Sequence, residues 1–119
     1  MDKITLATLP EASAQEVFDQ VRDHLLRQKV RSTTYKGICA YRINRRGSVL
    51  KCAAGCLIAD DEYDPGWEGI PWKFLNELPR DHVSLIVALQ DVHDALAPEL
   101  WEAELSKVAE SFSLESRVS

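Results

Sequence analysis

Four side chains in this chain have the chemistry to hold a metal ion together: Cys39, Cys52, Cys56 and His93. Thiolate sulfur and imidazole nitrogen are the usual ligands of structural zinc, and three sulfurs with one ring nitrogen make a permitted tetrahedral shell. The local spacing is Cys-x3-Cys rather than the Cys-x2-Cys of a zinc knuckle, and Cys39 has no second ligand near it in sequence. The set therefore closes only if the fold carries His93 to the sulfurs. The same residues permit two other readings. Cys52 or Cys56 at a helix N-terminus, with His93 as base and Asp91 or Asp94 behind it, would make a cysteine nucleophile. Against this, neighbours on a helix point about 100° apart, so Asp94 is poorly placed to orient His93. Alternatively, three buried thiols act as small apolar side chains beside a core histidine bonded to a carbonyl or hydroxyl, with no cofactor at all.

Two charged clusters offer binding rather than bond-making chemistry. Arg42, Arg45, Arg46 and Lys51, with Tyr35 and Tyr41 close in sequence, could contact the phosphates of a nucleic acid and stack a base. Asp60, Asp61, Glu62, Asp64 and Glu68, with Trp67 among them, form an acidic loop. Counted from Asp60 as a calcium loop it fails. The sixth position is Pro65 where glycine is needed, and the twelfth is Pro71 where glutamate is needed. As a contact loop it could anchor a partner through Trp67, and its carboxylates could mimic nucleic-acid phosphates in a basic groove.

Charge is unevenly spread. The net charge is −5, yet nine Lys or Arg stand against one acid from Arg22 to Lys51, and fourteen acids against four bases from Asp60 onward. A chain polarised this way either steers toward a charged partner or neutralises itself on folding. There is no glycine-rich phosphate loop, no His-Glu-x-x-His and no Gly-x-Ser-x-Gly, which excludes those nucleotide, metalloprotease and serine-hydrolase signatures.

The elements that must position these groups can be read from periodicity. Residues 38–43 alternate as a strand, and Asn44-Arg45-Arg46-Gly47 fits a type I turn closed by a left-handed glycine, with Ser48 to Cys52 as the return strand. Tyr41, Ile43 and Val49 are expected to cover the helices. Ser13 and Glu16 form a capping box for a helix to about Lys29, whose stripe is Ala14, Val17, Phe18, Val21 and Leu25. Pro71 to Leu78 reads as a short helix with Trp72, Leu75 and Leu78 inward, ended by Pro79. Asp81 is a good N-cap for a helix over residues 82–96 with Leu85, Ile86, Leu89, Val92, His93 and Leu96 inward. Pro98 opens a last helix with Trp101, Leu105, Val108, Ala109 and Phe112 inward. At 119 residues this is one globular domain, with residues 1–12 as an arm or short strand and 114–119 as a frayed tail. The expected architecture is α+β: a short antiparallel hairpin, with a third strand if the arm pairs with it, packed against about four helices.

Cys39-Ala-Tyr-Arg42, Lys51-Cys-Ala-Ala-Gly-Cys-Leu-Ile58, the acidic stretch ending in Tyr63, Leu89-Gln-Asp-Val-His-Asp94 and Trp101 resemble a family of small uncharacterised proteins seen in phages and in bacterial genomes that carry prophages. The likeness spans about residues 13–110. It transfers no catalytic residue. It implies a bacterial or phage setting and action by binding a host protein, such as a defence or transcription component that it inhibits. The first residues lack the apolar run of a signal peptide, and no stretch approaches the ~20 apolar residues of a membrane span. The expectation is a cytoplasmic protein with free thiols, binding a bacterial protein through Asp60, Asp61, Glu62, Asp64, Trp67 and Glu68. The alternatives are a zinc protein and a nucleic-acid-binding module using the basic hairpin.

Overall fold

The structure, a computed structural model, describes residues 3–116. Three α-helices and one two-stranded antiparallel sheet are present among them: α1 (Ala14–Gln28), β1 (Arg42–Arg45), β2 (Ser48–Lys51), α2 (Val83–Ala95) and α3 (Trp101–Ser111), so the α+β class holds. The fourth helix and third strand of the expected layout are not among them. Residues 9–11 form a single 3-10 turn instead of a strand. Between Pro71 and Pro79 the chain makes the 3-10 turn Trp72–Phe74 and a turn closed by the Leu78 amide on the Leu75 carbonyl, not a helix. Arg80 explains this: its guanidinium donates to the carbonyls of Trp72, Lys73 and Leu75, so those oxygens need no continuing helix. Trp72, Leu75 and Leu78 nevertheless point inward as expected.

The helix signals are mostly obeyed. Both halves of the Ser13–Glu16 capping box form, and Val17, Phe18, Val21 and Leu25 are buried. On α2, Leu85, Ile86, Leu89, Val92 and His93 are buried as one stripe, but the residue ahead of the helix is His82, not Asp81. His82 adopts a left-handed backbone and its ring nitrogen donates to the Ala12 carbonyl. Trp101, Leu105 and Ala109 of α3 face the core, while Phe112 lies beyond the helix end and is exposed. The chain at 114–115 is not frayed. Leu114 packs on the core, and Gln15 of α1 bonds the Glu115 backbone through both its amide groups. Residues 117–119 of the expected tail lie outside the described residues.

The hairpin turn is tighter than its sequence suggested. Arg45 pairs with Ser48, leaving only Arg46 and Gly47 in the loop. Their φ angles of 53° and 83° make a type I′ turn, whose twist matches that of the strands. The hairpin also covers less than expected: Val49 is 45% exposed.

The core is carried instead by the irregular chain after β2. Cys52, Ala53, Ala54, Gly55, Leu57 and Ile58 are all buried, with a 3-10 turn at Gly55–Leu57. Gly55 is there because Tyr41 crosses it: a Cβ at position 55 would sit 2.0 Å from the Tyr41 carbonyl oxygen. Gly55→Ala therefore forces two backbone segments apart at the centre of the core. The expected loss is about 3 kcal/mol or more of unfolding free energy, read from urea denaturation.

Candidate functional site

Gln90, His93 and Asp94 lie at i, i+3 and i+4 on the last turns of α2, so they share one face. The chain 32–41 passes over that face, folded back on itself by a bridge between Thr33 and Cys39. It delivers two groups to the helix. The Ser32 amide donates to His93 Nε2 at 2.9 Å, and Cys39 Sγ lies 3.0 Å from Gln90 Nε2. Trp101 of α3 stacks on the His93 ring from behind, at 5.6 Å between centroids.

The proton positions follow from the backbone donors. An amide N–H can only donate, so His93 Nε2 holds the lone pair and the neutral ring carries its proton on Nδ1. Nδ1–H donates to Asp94 Oδ1 at 2.8 Å. The Gln90 amide is oriented the same way. Its Oε1 accepts from the Ala54 N–H at 3.0 Å, so its NH2 faces the cluster and donates to Asp94 Oδ1 at 2.7 Å. The expected mismatch of His93 and Asp94 does not occur. The 100° step separates their Cβ directions, but the tips of both side chains curl together at the helix end.

The electrostatics are those of a shared, half-buried network. Burial pushes the Asp94 carboxyl up, but the bonds from His93 and Gln90 outweigh it and hold it below the usual carboxylate range. Burial opposes charge on His93. Asp94 and Cys39 outweigh it and raise the ring above the ordinary histidine value, while the Ser32 N–H, aimed where a second proton would go, works against protonation. Contact with the Cys52 sulfur, then burial, push the Cys39 thiol well above its usual range. The expected pairing of Cys52 or Cys56 with His93 is not formed: the thiol in this cluster is Cys39, Cys56 bonds the Ala53 carbonyl, and the His93 lone pair accepts from the Ser32 amide.

The expected Cys39, Cys52, Cys56 and His93 shell does not assemble. Cys56 Sγ bonds the Ala53 carbonyl and lines a separate groove with Lys3 and His24, where burial pushes the thiol up to about 12. Cys52 touches Cys39 but stands outside the group that converges. That group is Cys39, His93 and Asp94, whose ligand atoms lie within 4.8 Å of one another and could hold a metal ion. Gln90 Nε2 now sits among them, 3.0, 3.4 and 2.7 Å from Cys39 Sγ, His93 Nδ1 and Asp94 Oδ1. A metal would have to displace that amide and take the Nδ1 proton. Neither Ser32 nor Gln90 carries a functional motif of its own in the sequence. The i, i+3, i+4 spacing of Gln90, His93 and Asp94 was the available signal for one of them, and nothing local marks Ser32.

The acidic loop is bound largely to its own chain. Glu62 accepts from the Leu6, Ala7 and Ala59 amides. Glu68 accepts from the Tyr41 and Arg42 amides and from the Tyr63 hydroxyl. Asp64 caps Gly66, and the Trp67 indole donates to Glu77. Asp60 pairs with Arg42 at 2.7 Å and Lys51 at 3.5 Å, which takes two cations from the expected nucleic-acid set as well. Asp61 is exposed. Arg45 and Arg46 remain at the hairpin tip. Tyr41 is buried, with its hydroxyl on the Ile70 carbonyl, and cannot stack a base.

The polar network is open on one side. Cys39, Gln90 and Asp94 help line a groove of about 450 Å³ whose other walls include Ile38, Ile70 and Trp72. No family model, no curated protein and no solved structure matches the chain.

His93→Phe keeps a ring against Trp101 but leaves the buried Ser32 amide without an acceptor. Unfolding by urea should show a loss of about 2–3 kcal/mol. Glu62 supplies an acid test. Burial raises its carboxyl, but the three amide bonds outweigh this and set it below its reference of 4.5. A depressed folded value means stability that is present above the unfolded value and disappears as pH falls through the folded one. Glu62→Gln should therefore be less stable than wild type near neutrality, and the difference should vanish in acid.

Proposed function

We propose that the protein acts by binding another protein, and that the groove beside Cys39, Gln90 and Asp94 receives an extended segment of that partner. One observation carries this reading. Ile38 and Ile70, 54% and 40% exposed, rim a concave groove, and Phe74, 61% exposed, follows one residue after the lining Lys73. Apolar side chains gathered around a concavity favour an apolar anchor from outside. Asp91 and Asp94 line the same groove, so a Lys or Arg beside that anchor is the complementary choice. The Trp72 indole N–H has no acceptor; a small opening of the wall would bring it to a peptide carbonyl.

The resemblance to phage-borne proteins makes a bacterial host protein the partner, met in the cytoplasm, with inhibition of a defence or transcription component as the biological form. The sequence placed the contact on the acidic loop. Because Glu62, Glu68 and Trp67 are bound within the fold, this reading moves it to the groove. The test is capture from bacterial lysate with paired variants. Ile70→Asp and Asp91→Lys should each weaken a partner held by wild type about tenfold or more, while Asp61→Lys should not. A partner that both groove variants retain, and that charge reversal at Asp60, Asp61 and Asp64 releases, would overturn the groove in favour of the loop.

A second reading is a zinc site on Cys39, His93 and Asp94, supported by the convergence of three ligand-type atoms within 4.8 Å. It requires the Gln90 amide to leave and the His93 ring to give up its bond from Ser32. Elemental analysis of protein purified without chelator decides: near-stoichiometric zinc that Cys39→Ser removes supports the site, and trace zinc leaves the hydrogen-bonded network as the resting state.

A further inference from the structure

Between Asp23 and Asp60 the chain has no acidic residue, although eight Lys or Arg lie in that interval. The fold sorts these cations. Arg42 and Lys51, at the base of the hairpin, are neutralised by Asp60. Lys36, Arg45 and Arg46 are not ion-paired with any acid among the described residues. They gather because two tight turns are tied together. In the first, the Gly37 amide donates to the Thr34 carbonyl, so Tyr35 and Lys36 form a tip. In the second, Arg46 and Gly47 form the type I′ loop of the hairpin. Arg45 joins them: its guanidinium donates to the Thr33 carbonyl at 2.7 Å and lies 5.0 Å from the centre of the Tyr35 ring.

Tyr35 is 95% exposed. One side of its ring faces a guanidinium that is itself fixed by a backbone bond, and the ring is otherwise open to solvent. Such a platform suits a flat, electron-rich partner, and the surrounding uncompensated cations suit a polyanion.

We propose that the Tyr35–Arg45 stack, with Lys36 and Arg46, is a binding site for single-stranded nucleic acid. A base stacks on Tyr35, and the flanking phosphates meet Lys36, Arg45 and Arg46. The strand must be single, because a paired base cannot reach an aromatic ring at a loop tip. This site differs from the hairpin set that sequence alone suggested: Arg42, Lys51 and Tyr41 drop out, Tyr35, Arg45 and Arg46 stay, and Lys36 enters. It is independent of the groove.

The experiment is fluorescence anisotropy of a labelled oligothymidylate titrated with the full chain at low salt, with the duplex of the same sequence as comparison. Binding should prefer the single strand and weaken with salt, with a log–log slope of about −2 for three phosphate contacts. Tyr35→Ala should weaken it about tenfold, and Arg46→Ala should reduce the slope by about 0.7. Both positions are exposed, so the variants should retain the wild-type unfolding curve. Ile70→Asp in the groove should leave oligonucleotide binding unchanged, which separates this test from that of the protein partner. Absence of binding at low salt overturns the proposal. So does a duplex that binds as tightly, or a Tyr35→Ala variant that binds as well as wild type.

Discussion

The structure depends on satisfying the backbone of a buried stretch that is neither helix nor strand. A buried amide or carbonyl without a partner costs free energy comparable to a lost hydrogen bond, so an irregular segment in a core must find its partners in its own turns or in side chains. From Lys51 to Ala59 the strip's own turns, such as Cys56 N–H on the Cys52 carbonyl and Ile58 N–H on that of Gly55, satisfy part of the backbone, and side chains from outside supply the rest. Gln28 bonds both backbone groups of Lys51, and His24 shares its carbonyl. Gln90 accepts from Ala54, Gln20 donates to the Cys56 carbonyl, and Glu62 accepts from Ala59. Two helices and one loop thus grip a single strip of chain. Small residues at 53–55 let Tyr41 and the helices approach it closely.

The same constraint governs the polar cluster on α2. Gln90 is at once the partner of the Ala54 amide and the donor to Asp94 and Cys39, so the core strip and the exposed end of the cluster share one side chain. His93 is bound on both nitrogens, one to a loop and one to its neighbour. A cluster wired this way holds the 32–41 chain in place and forms one wall of the groove. Within it the His93 lone pair already accepts from the Ser32 amide, and the Cys39 sulfur accepts from Gln90.

Charge is resolved in two ways. Where acidic and basic segments meet, as at Asp60 with Arg42 and Lys51, the polarised halves neutralise each other. Where they do not, at the two turn tips around Tyr35, positive charge stays uncompensated. Self-neutralisation on folding is therefore partial: it reaches the base of the hairpin and not its tip.

The sequence by itself determined the periodic parts. The capping box at Ser13, the stripe that buries His93 and the α+β class all follow from spacing, because helix and strand repeat at fixed periods and a residue's neighbours reveal its face. Tertiary structure alone decided the rest. That Glu62 and Glu68 serve backbone amides, that Cys56 parts from Cys39 while Asp94 joins it, and that Ser32 sets the proton on His93 all depend on contacts between residues far apart in the chain. A carboxylate, thiol or amide reads the same in sequence whether it faces water, a ligand or a buried N–H. Its partner is chosen by how the nonrepetitive segments pack, and no local spacing records that choice.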